Sequence, residues 1–135
     1  MAFLEDLIGL GMPGEQAGVV ATETVTAAPT RSVTTGITAT GTTITDAYQL
    51  TTFANIVSTA AASTGVKLNS SWPVGQIGLV QNNGANTLNL FPPTASLTIN
   101  GGSAGAAVTI AAAAGNLIIR LSSTDFAAYA LAKEA

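Results

Sequence analysis

The chain has no cysteine and no histidine among its 135 residues. The lack of cysteine excludes a disulfide scaffold, a thiol nucleophile and a zinc–thiolate site. The lack of histidine excludes an imidazole metal site and a Ser-His-Asp triad. We therefore expect no catalytic, metal-binding or cofactor-binding residues in this chain.

Charged residues are also scarce, at 8% of the chain against about 25% in ordinary soluble domains. Between Ala47 and Ile119 the only charged side chain is Lys67. Four basic residues are too few for a phosphate-binding surface, so we expect no nucleic-acid partner. Asparagine, glycine and proline interrupt the neutral run, and no stretch of about 20 apolar residues is left to span a bilayer.

The scarcity of charge has two interpretations. A threonine-rich β surface could stay soluble through its hydroxyl and amide groups alone. Alternatively, other copies of the chain or a larger assembly cover much of the surface, because charged residues are depleted in interface cores. We favour the second interpretation, since a monomer with few charges is poorly protected against association.

The first 32 residues differ from the rest and predict a short helical arm followed by a threonine-rich linker. Apolar residues recur near the amino end at the spacing of an amphipathic helix. So short a helix is marginal alone in water, and its apolar face must dock on the chain's own core or on a partner. We favour a partner, and the candidate contact residues are Phe3, Leu4, Leu7, Ile8, Leu10 and Met12.

Residues 33–135 form the second predicted domain, in which threonine and β-branched residues dominate. Short strand patterns at intervals of about ten residues predict a mainly β fold, a compact antiparallel sandwich or barrel. Two β runs, 76–81 and 87–91, flank an Asn-Gly segment and predict a hairpin. Asp46 is a candidate N-cap of a helical turn over 46–50, and no exact repeat is present.

Few residues in this domain are candidates for chemistry. Asp46 and Asp125 could form a carboxylate pair, but both stand where turn residues are expected. Lys67 and Arg120 lie in strand patterns, where an interfacial ion pair or a solvated strand face explains them. Trp72 is either a half-buried plug at the domain edge or a sugar-stacking platform. We therefore predict a protein that is not an enzyme.

Several segments resemble a β module found in virion proteins of tailed bacteriophages, namely small capsid decoration (cement) and head-fibre proteins. The resemblance covers most of the chain and lies in 65–68, 74–76, 98–102 and the run Val80-Gln81-Asn82-Asn83-Gly84-Ala85-Asn86-Thr87-Leu88-Asn89-Leu90-Phe91-Pro92-Pro93. The segment Leu7-Ile8-Gly9-Leu10-Gly11-Met12-Pro13 resembles the leader of such proteins.

This resemblance implies a homotrimer on the outer surface of a capsid, with the major capsid protein as partner and the arm touching the shell or a neighbouring subunit. Such a protein stabilises the assembled head by binding it. The alternatives are a head or tail fibre or baseplate module, a host-surface glycan-binding β module and, more remotely, a hydrolase. Glycan binding would need an aromatic and polar groove around Trp72 or Tyr48.

Overall fold

The structure is a computed structural model that describes residues 31–132. These residues form ten strands and no helix, so the predicted mainly β fold is confirmed. The predicted helix and nearly all of the predicted arm and linker, residues 1–32, lie outside the described residues. The strands are β1 (Val33–Thr38), β2 (Tyr48–Gln49), β3 (Ala54–Thr59), β4 (Gly65–Lys67), β5 (Ile77–Asn82), β6 (Leu88–Phe91), β7 (Thr98–Ile99), β8 (Val108–Ile110), β9 (Gly115–Arg120) and β10 (Asp125–Leu131).

The first six strands form three stacked coils, each with one strand in each of two sheets. In the six-stranded sheet β1, β3 and β5 are parallel neighbours, and in the four-stranded sheet β2, β4 and β6 are parallel neighbours. Parallel strands need a long crossover connection, and here each crossover contains a strand of the other sheet. The stacking is therefore solenoid-like.

The remaining strands reverse direction and complete the two sheets. β8 runs antiparallel to β6, and β9 runs antiparallel to β5. β10 then pairs antiparallel with β9 and parallel with the short strand β7, which forms one edge of the larger sheet. Threonine, valine and isoleucine populate many of these strands because their branched side chains fit a pleated surface.

The core lies between the two sheets and is apolar. Alternate side chains of each strand point into it, as the two-residue period of a strand requires. Its fully buried members include Val57, Val80, Ile118 and Phe126 from the larger sheet, and Val66, Leu68, Leu88, Leu90 and Ile110 from the smaller sheet and its flanks.

Three expectations about the fold need correction. Five of the eight strand pairings are parallel, so the predicted antiparallel arrangement is wrong, and a sandwich or barrel is not confirmed. The predicted hairpin is also wrong, because β5 and β6 lie in different sheets. The helical turn predicted over 46–50 is wrong too, since Tyr48–Gln49 is a strand.

The Asn-Gly segment is a corner between the sheets, and the side chain of Asn82 explains why. This side chain is fully buried. Its Nδ2 donates to the carbonyl oxygens of Asn86, Ile110 and Ala111, and its Oδ1 accepts from the backbone N–H of Gly84. The amide thus replaces the hydrogen bonds that a hairpin ladder would have supplied, and it ties the corner to the reversed strands.

Candidate interaction surface

The outer face of the larger sheet carries a row of apolar side chains across five strands. Val33 pairs with Ala54, Ala54 with Leu79, Leu79 with Leu117, and Leu117 with Tyr129. Directly opposed residues project from the same face of a sheet. Asn55, Val80 and Ile118, which are neighbours of Ala54, Leu79 and Leu117 along their strands, are fully buried. This row, which we call the central row, therefore faces away from the core.

A second row lies beside the central row. Ile77 of β5 pairs with Ile119 of β9, and Ile119 pairs with Ala127 of β10. On the other side of the central row, Ile56 and Leu131 project from the same face. We call the central and second rows together the apolar face.

The large side chains of the apolar face do not pack on the core. Val33 is 62% exposed, Tyr129 54% and Ile77 42%. Leu79, Leu117 and Ile119 are half-buried but, among the described residues, none of the three belongs to the core cluster or packs against it.

The outer face of the smaller sheet has the opposite character. Gln49 pairs with Lys67, and Asn89 pairs with Thr109, so polar side chains and one charge stand where solvent is expected. Its large apolar member is Phe91, whose ring lies close to Gly65. A sheet with one solvated face normally shows such polar residues outside. The apolar face is therefore the exception in this molecule.

Within residues 31–132, the charged side chains lie outside the two rows of the apolar face. The described strands of the larger sheet place one charged residue, Asp125, on the outer face. It is the first residue of β10. Arg31 lies over the ring of Phe53, 5.3 Å from the ring centroid. Lys67 donates from Nζ to the Thr45 carbonyl at 3.4 Å. These charges contact groups of their own chain.

Asp46 is a turn residue, as the sequence predicts, whereas Asp125 is the first residue of β10. The two carboxyl groups accept hydrogen bonds from different residues. Asp46 Oδ1 accepts from the Thr43 N–H at 2.8 Å and from Thr43 Oγ1 at 2.7 Å. These hydrogen bonds lower the pKa of Asp46 below its ordinary value. Asp125 Oδ1 accepts from Thr98 Oγ1 at 2.6 Å and from the Gly101 N–H at 3.2 Å. The Thr98 bond is the main cause of the lowered pKa of Asp125, so neither carboxyl group is tuned to act as an acid near neutral pH.

Arg120 fastens two loops to the end of β9. Its Nε and Nη2 donate to the carbonyl oxygens of Ser122 and Ser123, and its Nη1 donates to those of Ser70 and Trp72. The guanidinium also lies 5.2 Å from the centroid of the Phe126 ring. Arg120 is therefore engaged inside its own chain, and neither interpretation drawn from the sequence, an interfacial ion pair or a solvated strand face, describes it.

Trp72 is a core residue. It is only 7% exposed, and its ring lies so close to Gly78 that a Cβ at this position would clash with it. A ring in this position offers no platform for stacking a sugar. Tyr48 is half-buried and packs against the same core, so the two aromatic residues do not form the groove that glycan binding would need.

Sequence reasoning placed the partner contact elsewhere. The six candidate residues, Phe3, Leu4, Leu7, Ile8, Leu10 and Met12, lie outside the described residues. The apolar face was missed, although the sequence carries a signal for it. Leu117-Ile118-Ile119 is apolar at successive positions, and such a run is typical of a strand covered on both faces.

Comparisons with protein-family models, with curated proteins and with solved structures give no match to this chain. Within residues 31–132 no helix is long and apolar enough to cross a membrane. The same residues hold no group of three or more Asp and Glu side chains that could bind a metal ion. The outer face of the larger sheet is thus the feature of the described chain that most invites a functional explanation.

Proposed function

We propose that this chain is a non-enzymatic structural protein of a tailed-bacteriophage virion, a homotrimeric capsid decoration protein on the outer surface of the head. In this proposal the β unit associates with sister copies, and the arm, residues 1–32, forms a short helix that docks on the major capsid protein. The proposal starts from the resemblance of the sequence to decoration and head-fibre proteins.

The apolar face is the observation that carries the proposal. A sheet face with exposed valine, isoleucine and tyrosine, and with no charge in its two rows, is typical of a surface that another protein covers. Such a surface suits a protein whose working state is an assembly.

The chemistry of the remaining polar groups supports the same function. The hydrogen bonds of Asp46, Asp125 and Arg120 join these side chains to turns, loops and a neighbouring strand of the chain itself. A protein of this kind acts by binding alone: if it binds only the assembled shell, it lowers the free energy of that state. Many copies on one lattice add avidity, so each contact can be weak.

A fibre or baseplate module is the second structural candidate, and one observation favours it. The parallel coils β1–β2, β3–β4 and β5–β6 stack along one direction, which is how elongated solenoids grow. A glycan-binding module is a weaker candidate because Trp72 is buried.

The experiment asks whether the arm attaches the chain to particles. Full-length chain with Leu7→Asp is added to purified particles that lack their own copy, and bound chain is measured after sedimentation. We expect loss of binding, because a buried, unpaired carboxylate at the docking face is strongly unfavourable. Thr26→Asp, which adds the same charge in the linker, should bind like the wild type.

Two results would contradict the proposal. One is undiminished particle binding by Leu7→Asp, which would remove the arm from the mechanism. The other is absence of the chain from purified particles by mass spectrometry, which would remove the virion role altogether.

A further inference from the structure

We propose that the apolar face is the surface through which one copy of this chain binds another. The proposal deepens the self-association part of the proposed function and shares that premise with it. It rests, however, on the geometry of the larger sheet, and it does not require that the assembled copies sit on a capsid.

The charge distribution favours a second copy as the occupant. Two copies of this chain carry the same net charge of −3, so they repel wherever their charged surfaces meet. The central and second rows contain no charged residue, and face-to-face contact there brings no like charges together. A strongly charged partner, in contrast, would find no complementary group in these rows.

The width of the apolar face suits a second copy of the chain. The central row crosses β1, β3, β5, β9 and β10, about 19 Å at the usual spacing between strands. A second copy presents a row of the same width, so the large side chains of one row can be covered along its whole length by those of another.

Symmetry connects this contact with the trimer of the proposed function. In a closed ring of three copies, each contact joins two different patches of neighbouring subunits. If the apolar faces point towards the threefold axis, the β1 side of the face in one subunit contacts the β10 side of the face in the next subunit. In this arrangement Tyr129 on β10 and Val33 on β1 stand at opposite ends of the central row, one for each neighbour.

The test compares the solution mass of full-length variants by light scattering at micromolar concentration. Tyr129→Lys and Ile77→Lys place a charge on the apolar face at exposed positions, where the fold itself tolerates the change. Thr109→Lys is the matched control, because it places the same charge at an exposed position on the outer face of the smaller sheet. Tyr129→Phe tests whether the aromatic ring without its hydroxyl group is sufficient for oligomer formation.

We expect the wild type, Thr109→Lys and Tyr129→Phe to be oligomers. Tyr129→Lys and Ile77→Lys should dissociate to monomers, with association weakened by roughly tenfold or more, as for central interface residues. Their circular dichroism and Trp72 emission should match the wild type, which separates lost association from lost folding.

A monomeric wild type would overturn the proposal. So would oligomers of unchanged mass in both face variants, because a different surface would then hold the copies together. The second result leaves the virion role open, since particle binding through the arm is measured separately. If Leu7→Asp no longer binds particles but still forms oligomers, the result supports both the attachment of the chain through its arm and the self-association of the chain through another surface, the apolar face.

Discussion

Asn82 provides the sharpest test of how the fold is held together, through the variant Asn82→Ala. Its side-chain amide is fully buried and donates to the carbonyl oxygens of Asn86 at 2.9 Å, Ile110 at 3.0 Å and Ala111 at 3.2 Å. Its Oδ1 accepts from the Gly84 N–H at 3.0 Å. Two amide hydrogens serve three carbonyl groups, so we count two donated bonds and one accepted bond.

At about 1 kcal/mol for each net hydrogen bond, Asn82→Ala should lower the free energy of unfolding by about 3 kcal/mol. This is a large part of the roughly 5–15 kcal/mol that a domain usually has. Asn89→Ala is the control: its Nδ2 makes one hydrogen bond, to the Ser63 carbonyl at 3.0 Å in an exposed position, and the loss should be about 1 kcal/mol or less.

The assay is urea unfolding followed by the emission of Trp72, the single tryptophan, which is buried in the core. All variants are measured at one protein concentration, because the apparent stability of an oligomer depends on concentration. If Asn82→Ala loses no more stability than Asn89→Ala, the amide does not hold the corner and our reasoning about this turn is wrong.

The sequence predicts the strands well because each strand is specified by its own residues. The alternation of Leu88 and Leu90 with polar neighbours places β6 correctly, and the Asn100-Gly101 turn appears with both residues at positive φ. The pairing of strands is not specified in this way, because it depends on contacts between residues that are far apart in the sequence. An Asn-Gly segment between two β runs looks the same whether it closes a hairpin or turns a corner between two sheets.

The site was harder to predict than the fold for a related physical reason. Leu79 and Val80 are equally apolar in the sequence, but one faces outward and the other lies in the core. Only the pairing register shows that Leu79, Leu117 and Tyr129 stand side by side on one outer face. The low charge of the chain predicts that some surface is covered, and this stays a prediction; the charge alone does not indicate which surface it is.

Two further predictions concern the core and the turns. Gly78→Ala should destabilise the fold by about 1–3 kcal/mol, as overpacking usually does, because the new methyl group meets the Trp72 ring; the urea midpoint should fall and the Trp72 emission should shift, and unchanged emission would contradict the contact. Asp125 has a folded-state pKa below its ordinary value of 3.8, so its stabilising effect is complete above that value and is lost as the pH falls through the folded pKa. Asp125→Asn should therefore flatten the fall of the urea midpoint on acidification, and an unaltered pH profile would show that its bond to Thr98 contributes nothing.

The central claim is that sister copies and a shell cover the uncharged surface of this chain. The most direct measurement is a cryo-EM map of virus particles from cells that produce the chain. The account predicts trimeric β density on the outside of the head, with Leu79, Leu117 and Tyr129 turned towards the threefold axis and the amino-terminal segment against the shell. Single copies with this face open to solvent, or particles without the chain, would contradict it.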